Sequence, residues 1–319
     1  RKAALNAKAA GFDIVYVYAG HGMSVAQQFI LPDMNNRSDE YGGSLENRLR
    51  LTRELLEETR DAIGDSCGIA FRFAVDDLKG KDGMQFQEEG RAVVEMLSEY
   101  PDLWDVNVSD WSNDSQTSRF QPEEAYQMPY VEFVKSITTK PVVGVGRLTS
   151  PDLMIKLVEG GALALIGAAR PSIADPYLPN KIKEQKTDQI KECIGCNICV
   201  SSDNFMVPIR CTQNPTMGEE WRRGWDPEYI KPKITDQRAL VVGSGPSGLE
   251  CTVQLARRGY QVILAESENE LGGRVLFESS LRGLSAWKRV VDNRVHEILQ
   301  KSNIEVYKES RLKAEHIDE

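Results

Sequence analysis

Four of the chain's six cysteines fall within nineteen residues, as Cys193-Ile194-Gly195-Cys196-Asn197-Ile198-Cys199 followed, after eleven residues, by Cys211. Three thiolates at this spacing can face a common centre from one tight loop, and the fourth can close the site from a distance, which is the layout of an iron–sulfur cluster. Zinc sites usually present two separated CxxC pairs rather than a 3+1 arrangement, and mere packing explains such crowding poorly. The spacing therefore predicts a [4Fe–4S] cluster on Cys193, Cys196, Cys199 and Cys211. Clustering also predicts a reducing compartment, the cytoplasm, over a set of disulfides.

A second chemistry-bearing stretch is Gly243-Ser244-Gly245-Pro246-Ser247-Gly248. It follows the apolar run Ala239-Leu240-Val241-Val242 and opens a helical pattern, and an acid, Glu266, stands 23 residues after the first glycine at the end of the next strand pattern. Glycines at Gly243, Gly245 and Gly248 would let backbone N–H groups approach a pyrophosphate while the acid takes ribose hydroxyls, so an adenine nucleotide, ADP or FAD, is expected here. The bland alternative is a fold that keeps the glycines only for strand–helix packing.

The elements that must position such sites alternate along the chain. Strand patterns at residues 13–18, 69–74, 104–108, 142–145 and 162–167 are separated by amphipathic helical patterns at 44–63, 88–100, 130–137 and 151–159. Repeated βα units predict a parallel sheet. The last two strands run into Gly144-Val145-Gly146-Arg147 and Gly167-Ala168-Ala169-Arg170-Pro171. In (β/α)8 barrels a phosphate is often held after strands seven and eight, where small residues expose backbone N–H groups and a base neutralises charge. On that count the chain holds strands four to eight, and the absence of an initial Met agrees with a fragment. The layout expected is a partial (β/α)8 barrel over 1–185, a cluster segment and linker over 186–235, and a truncated Rossmann-like domain over 236–319.

Tyr18 and His21 lie at the C-terminal end of the first strand pattern, and Trp111 and Asp114 lie just past the third, where barrels build their active sites. Position alone allows two roles for these residues, catalysis or packing. Arg72, inside Ile69-Ala70-Phe71-Arg72-Phe73, faces a buried layer and needs a partner. Two candidates remain open, the negative charge of a reduced flavin and a structural carboxylate. Elsewhere the chain is ordinary: with 41% hydrophobic and 27% charged residues it suits a globular domain pair, and a net charge of −9 argues against a nucleic-acid-binding face. The apolar runs fall far short of the roughly 20 residues a bilayer requires.

Taken together, the segments Phe12 to Tyr18, Arg37-Ser38-Asp39-Glu40-Tyr41-Gly42-Gly43-Ser44-Leu45-Glu46-Asn47-Arg48, Ala169-Arg170-Pro171-Ser172-Ile173-Ala174-Asp175-Pro176 and Cys193 to Asn197 resemble the trimethylamine/dimethylamine dehydrogenase branch of the old-yellow-enzyme-related flavoproteins. The resemblance implies an FMN-binding barrel in which Tyr18, His21 and Asp114 form a hydrogen-bonded triad beside the flavin. It implies that Trp111 is one wall of an aromatic bowl for an alkylammonium, that Arg72 lies near the flavin pyrimidine, and that Arg170 lies on the FMN phosphate. It further implies oxidative N-dealkylation of small alkylamines, electron transfer through the cluster to an electron-transferring flavoprotein, and a homodimer when full length. One departure bears on substrate: the family's second bowl tryptophan is absent after Cys199, where Asp203 and Phe205 stand instead. The acidic Asp203 suits a substrate other than trimethylamine. Two other readings compete. An NAD(P)H-dependent 2,4-dienoyl-CoA reductase-like ene-reductase would place three residues, not two, between the second and third cluster cysteines and would lack the Tyr-x-x-His pair. A non-catalytic nucleotide-binding electron carrier would have no use for a triad.

Overall fold

The structure, a computed structural model, describes residues 1–109, 123–226 and 229–316. The chain divides into two units. Residues 1–109 and 123–168 belong to the first, and the described residues from 169 onward form the second.

The first unit is built on a five-stranded parallel sheet, β1 (Ile14–Ala19), β2 (Gly68–Asp76), β3 (Leu103–Val108), β4 (Val142–Gly144) and β5 (Leu165–Ile166), with neighbours in chain order. This is the sheet the βα alternation predicts. Its two faces differ because side chains alternate along each strand. Val17, Ala19, Ile69, Phe71, Phe73, Val75, Trp104, Val106 and Val108 occupy one face and are buried, with Phe71 and Trp104 meeting edge to face at 5.3 Å. Helices cover that face. Helix Arg50–Ile63 turns Thr52, Leu56, Thr59 and Ile63 inward at helical spacing and stops at Gly64. The opposite face is polar, carrying Tyr16 and Tyr18 from β1, Arg72 from β2 and Asp105 and Asn107 from β3, with Ala70 and Ala74 leaving room between them. β5 is shorter than the pattern at 162–167 implies and pairs with β4 through Val143↔Leu165 and Gly144↔Ile166. The pattern at 44–63 resolves into two helices, Leu45–Arg48 and Arg50–Ile63, with Ser44 Oγ capping the first by accepting from Asn47 N at 3.3 Å.

Arg48 shows what the segment from Arg37 to Arg48 does. It is 4% exposed, pairs with Glu89, and donates to the carbonyls of Ile30 and Gly43, so it ties the connection after β1 to the helix after β2. That segment shapes the frame around the strand ends.

In the second unit, β6 (Ala239–Val242), β7 (Val262–Ala265) and β8 (Ile304–Tyr307) form a three-stranded parallel sheet. Helices Pro246–Arg257 and Arg289–Gln300 pack on it through Leu249, Val253, Val291 and Ile298. The cysteine segment, with helix Ile198–Asn204, belongs to the same unit.

Candidate active site

The polar face of the first sheet follows from strand register. β1 sets Tyr18 beside Arg72, and β2 sets Arg72 beside Asp105, so three polar side chains line up across neighbouring strands. Arg72 Nη1 stands 3.6 Å from Asp105 Oδ2, which gives the arginine the structural carboxylate that was one of its two candidate partners. The pairing is incomplete: Arg72 Nε and Asp105 Oδ1 are buried without a hydrogen-bond partner, and so is Asn107 Oδ1 on the same face. Burial raises the Asp105 carboxyl above its ordinary proton affinity, opposed by the Arg72 charge. Tyr18 is likewise raised, first by burial and then by Asp105, again against Arg72, so its phenol keeps its proton at neutral pH.

The chain leaves β1 through Gly20, then His21 in the left-handed region at φ 59°. That turn swings the imidazole back over the strand end. Tyr18 Oη and His21 Nδ1 are hydrogen-bonded, and Asn107 Nδ2 reaches His21 Nε2 at 2.9 Å. With the amide nitrogen of Asn107 turned to the ring, Nε2 is the acceptor of that contact. Trp111 and Asp114 lie outside the described residues.

Asp105 and Asn107 escaped the reading of the sequence. The signal was there: in Trp104-Asp105-Val106-Asn107-Val108 the polar residues fall on alternate positions, so both must share one face of an otherwise apolar strand.

After β4, Gly146 takes φ 111°, and a side chain there would run into Gln127 at 2.6 Å. Arg147 follows at φ 55° and is 6% exposed. Ala169 and Arg170 open a short helix, Ala169–Ala174, in the second unit. Arg170 Nη1 donates to Asn197 Oδ1 at 2.5 Å, inside the cysteine loop.

The four cluster-spaced cysteines are free thiols, each partly buried. Backbone N–H groups of Gly195 and Gln213 donate to Cys193 Sγ and Cys211 Sγ, both at 3.4 Å, and Thr212 Oγ1 lies 3.2 Å from Cys196 Sγ. Burial raises the thiols of Cys193 and Cys199, and pushes Cys211 up to about 11, while the Arg170 charge pulls the first two back. Among the described residues no group of three or more His, Cys, Asp or Glu converges as a single metal ion requires. One tetrahedral zinc would need sulfurs roughly 3.8 Å apart, given Zn–S bonds of about 2.3 Å. Thiols brought into mutual electrostatic range, with N–H donors already aimed at two of them, fit a cluster.

In the second sheet, Gly245 caps helix Pro246–Arg257, and a side chain at Gly248 would collide with the Gly243 carbonyl, so that glycine serves close helix–strand packing. Glu266 directly follows β7 and is 7% exposed. It accepts from Ser244 N at 2.7 Å and Ser244 Oγ at 2.5 Å on one oxygen, and from Ser267 Oγ and Glu268 N, both at 3.0 Å, on the other. Burial opposes its charge, but these bonds overcome it and hold the carboxyl at about 2. A ribose would have to share an acid that already braces the glycine loop.

A parallel sheet of flavin-barrel type followed by a nucleotide-type domain is the class this fold defines, and comparison with known proteins makes it specific. The chain belongs to the NADH:flavin oxidoreductase / NADH oxidase family, whose sequence profile matches residues 1–189, and an NAD(P)-binding Rossmann-like domain matches 241–306. Within that family it resembles the amine dehydrogenases. It is 46% identical over 289 residues to the dimethylamine dehydrogenase of Hyphomicrobium sp. (strain x), covering 89% of this chain and 39% of that protein. The solved 6-hydroxypseudooxynicotine amine oxidase from Pseudomonas geniculata N1 is 52% identical with a TM-score of 0.94, covering 98% of this chain and 47% of that one. Histamine dehydrogenase from Rhizobium sp. 4-9 is 49% identical, also with a TM-score of 0.94, covering 99% and 46%. The chain therefore spans less than half the length of these relatives. Among the described residues no helix is long and apolar enough to cross a membrane.

Proposed function

We propose that this chain is part of a cytoplasmic FMN- and [4Fe–4S]-dependent amine dehydrogenase that oxidises small alkylamines at a C–N bond. The observation that carries the reading is the hydrogen-bonded run Asn107–His21–Tyr18 on a polar sheet face beside Arg72 and Asp105. The orphaned polar atoms of Arg72, Asp105 and Asn107 on that face fit a ring rich in donors and acceptors, as the flavin is. FMN, when bound, supplies the electron-pair acceptor for oxidation of the amine's α-carbon.

The protein's own residues do the rest. Arg72 offers positive charge to that face, and Tyr18, its phenol protonated, offers a hydrogen-bond donor. His21, held by Asn107 and Tyr18, is an imidazole positioned to take part in removing the N–H proton that an alkylammonium must lose before the nitrogen lone pair can assist. Asp114 and Trp111, which lie outside the described residues, are assigned to the triad and to the amine site by resemblance alone. Gly146, Arg147 and Ala169 are assigned to the FMN phosphate from the small-residue loops after the last two strands, and Arg170 by resemblance. Cys193, Cys196, Cys199 and Cys211 would hold the cluster, which supplies a one-electron outlet toward an electron-transferring flavoprotein. Gly243, Gly245 and Gly248, with Glu266, would hold ADP or FAD. The layout is barrel to 185, cluster segment to 235 and nucleotide domain beyond, in a homodimer. Asp203, an acid in place of a bowl tryptophan, turns the reading toward amines other than trimethylamine.

The test is stopped-flow bleaching of flavin absorbance in the full-length protein by a panel of small primary, secondary and tertiary amines. At least one is expected to bleach it without NAD(P)H. Failure of every amine, with bleaching by NAD(P)H instead, would overturn the reading in favour of an ene-reductase. In the same protein Cys199→Ala should lose cluster iron and visible cluster absorbance while flavin remains bound, and unchanged iron would remove Cys199 from the ligand set.

A further inference from the structure

Gln213, 1% exposed and two residues past Cys211, is engaged at every polar atom it has. Its N–H donates to Cys211 Sγ at 3.4 Å, and its side-chain nitrogen donates to the carbonyl of Glu192, the residue before Cys193, at 3.0 Å. Its side-chain oxygen accepts from Arg294 Nη1 at 3.1 Å, and its carbonyl accepts from Arg294 Nη2 at 3.3 Å. One glutamine thus joins the first and last cysteines of the segment. The guanidinium gripping it comes from helix Arg289–Gln300 and is 4% exposed. Its Nε donates to Glu250 at 2.7 Å, on the helix that follows the glycine loop, and its Nη1 also donates to the Val290 carbonyl at 2.8 Å.

A guanidinium this buried is costly to desolvate, and an apolar side chain of similar length would pack here without that cost. What the arginine adds is geometry: a planar fork that fixes a glutamine carbonyl and side chain together, and so fixes the amide aimed at Cys211. We propose that Arg294 and Gln213 are positioning residues for the iron–sulfur centre, through which the nucleotide-type domain holds the Cys211 end of the site in register with Cys193. The inference rests on reading Cys193, Cys196, Cys199 and Cys211 as cluster ligands. N–H donors to cluster sulfur stabilise the more electron-rich state, and partners behind the ligands govern how firmly the metal is kept. Releasing Gln213 should therefore lower the cluster's reduction potential and speed its loss.

The experiment uses full-length holoprotein, wild type beside R294M, R294K and Q213M. Iron and acid-labile sulfide are assayed, the cluster absorbance is followed in excess ferrous chelator, and the potential is read from the paramagnetic signal of the reduced cluster. R294M and Q213M are expected to keep FMN, to lose iron roughly tenfold faster or more, and to titrate at lower potential. R294K, which keeps the charge without the fork, should fall between them and wild type. Unchanged lability and potential in R294M, or in Q213M should R294M fail to fold, would overturn the proposal while leaving the cluster standing. A wild-type protein without iron and sulfide would overturn the cluster reading itself, and this proposal with it.

Discussion

Two carboxylates in this chain are almost closed to solvent, Asp105 at 4% exposure and Glu266 at 7%, Asp105 lying deeper among protein atoms, and their proton affinities move in opposite directions. Burial acts against the charge in both. At Glu266 four hydrogen bonds outweigh it, while at Asp105 a single arginine 3.6 Å away does not, and one oxygen has no partner. The difference separates a group that finishes a scaffold from one on a face left chemically unsatisfied. Saturated polar groups lock a loop in one shape, and unsatisfied ones mark where a polar ligand is expected.

The largest expected effect tests the scaffold side. Glu266→Leu would leave the fully buried Ser244 without an acceptor for its N–H and hydroxyl, and should destabilise the nucleotide-type domain by about 3 kcal/mol. Glu266→Gln keeps an acceptor and should lose less. The wild-type carboxyl falls from an ordinary 4.5 to about 2 on folding, so its contribution is fully present above pH 4.5 and disappears as pH drops toward 2. Thermal unfolding across that window should show the acid loss in wild type and a flatter profile in Glu266→Gln. Identical profiles would break the comparison at its better-defined end.

The same contrast explains what the sequence made legible. Cys193 to Cys211 and Gly243 to Gly248 are contiguous, and their chemistry is carried by spacing along the chain, so both could be read directly. Tyr18 and His21 were found because a strand end is recognisable from its pattern. Asp105 and Asn107 were not, because their role depends on which residue of the neighbouring strand they face, and register comes from pairing rather than from local sequence. The same holds for Arg294, whose partners Gln213 and Glu250 lie 81 and 44 residues away. The centres of β1 to β5 emerged within a residue or two, whereas β5 runs for only two residues and β8 went unread.

On the unsatisfied face, His21→Gln in the full-length enzyme should slow amine-driven flavin reduction by about a hundredfold or more and remove one ionisation from its pH profile. The amide can still hydrogen-bond to Asn107 and Tyr18, so the flavin site should stay filled and the unfolding temperature should move little. A packing histidine would give the reverse, lost stability with the pH profile intact. Stopped-flow reduction across pH, set beside flavin content, separates the two.

The smallest effect is also the sharpest test of the comparison, because its sign is opposite to that at Glu266. The folded state holds the Asp105 proton more tightly than the unfolded chain does, whose carboxyl has the ordinary value of 3.8. Stability contributed at this position is therefore greatest below 3.8 and declines as pH rises through the folded value, above which the cost of the buried charge is fully present. Asp105→Asn removes that charge and should flatten the decline. At neutral pH the gain should be about 1 kcal/mol or less, because Arg72 loses its counter-ion at the same time and the side chain, about one-third exposed, must turn to solvent. Asp105 also raises the proton affinities of Tyr16 and Tyr18, so both should titrate lower in the variant. Repeating the ultraviolet titration in a Tyr18→Phe background isolates the share belonging to Tyr18. If Asp105→Asn instead destabilised the protein at neutral pH by several kcal/mol, with the tyrosines unmoved, Asp105 would be a finished structural ion pair like Glu266 and its bonds, and the polar face would lose its claim to be an open site.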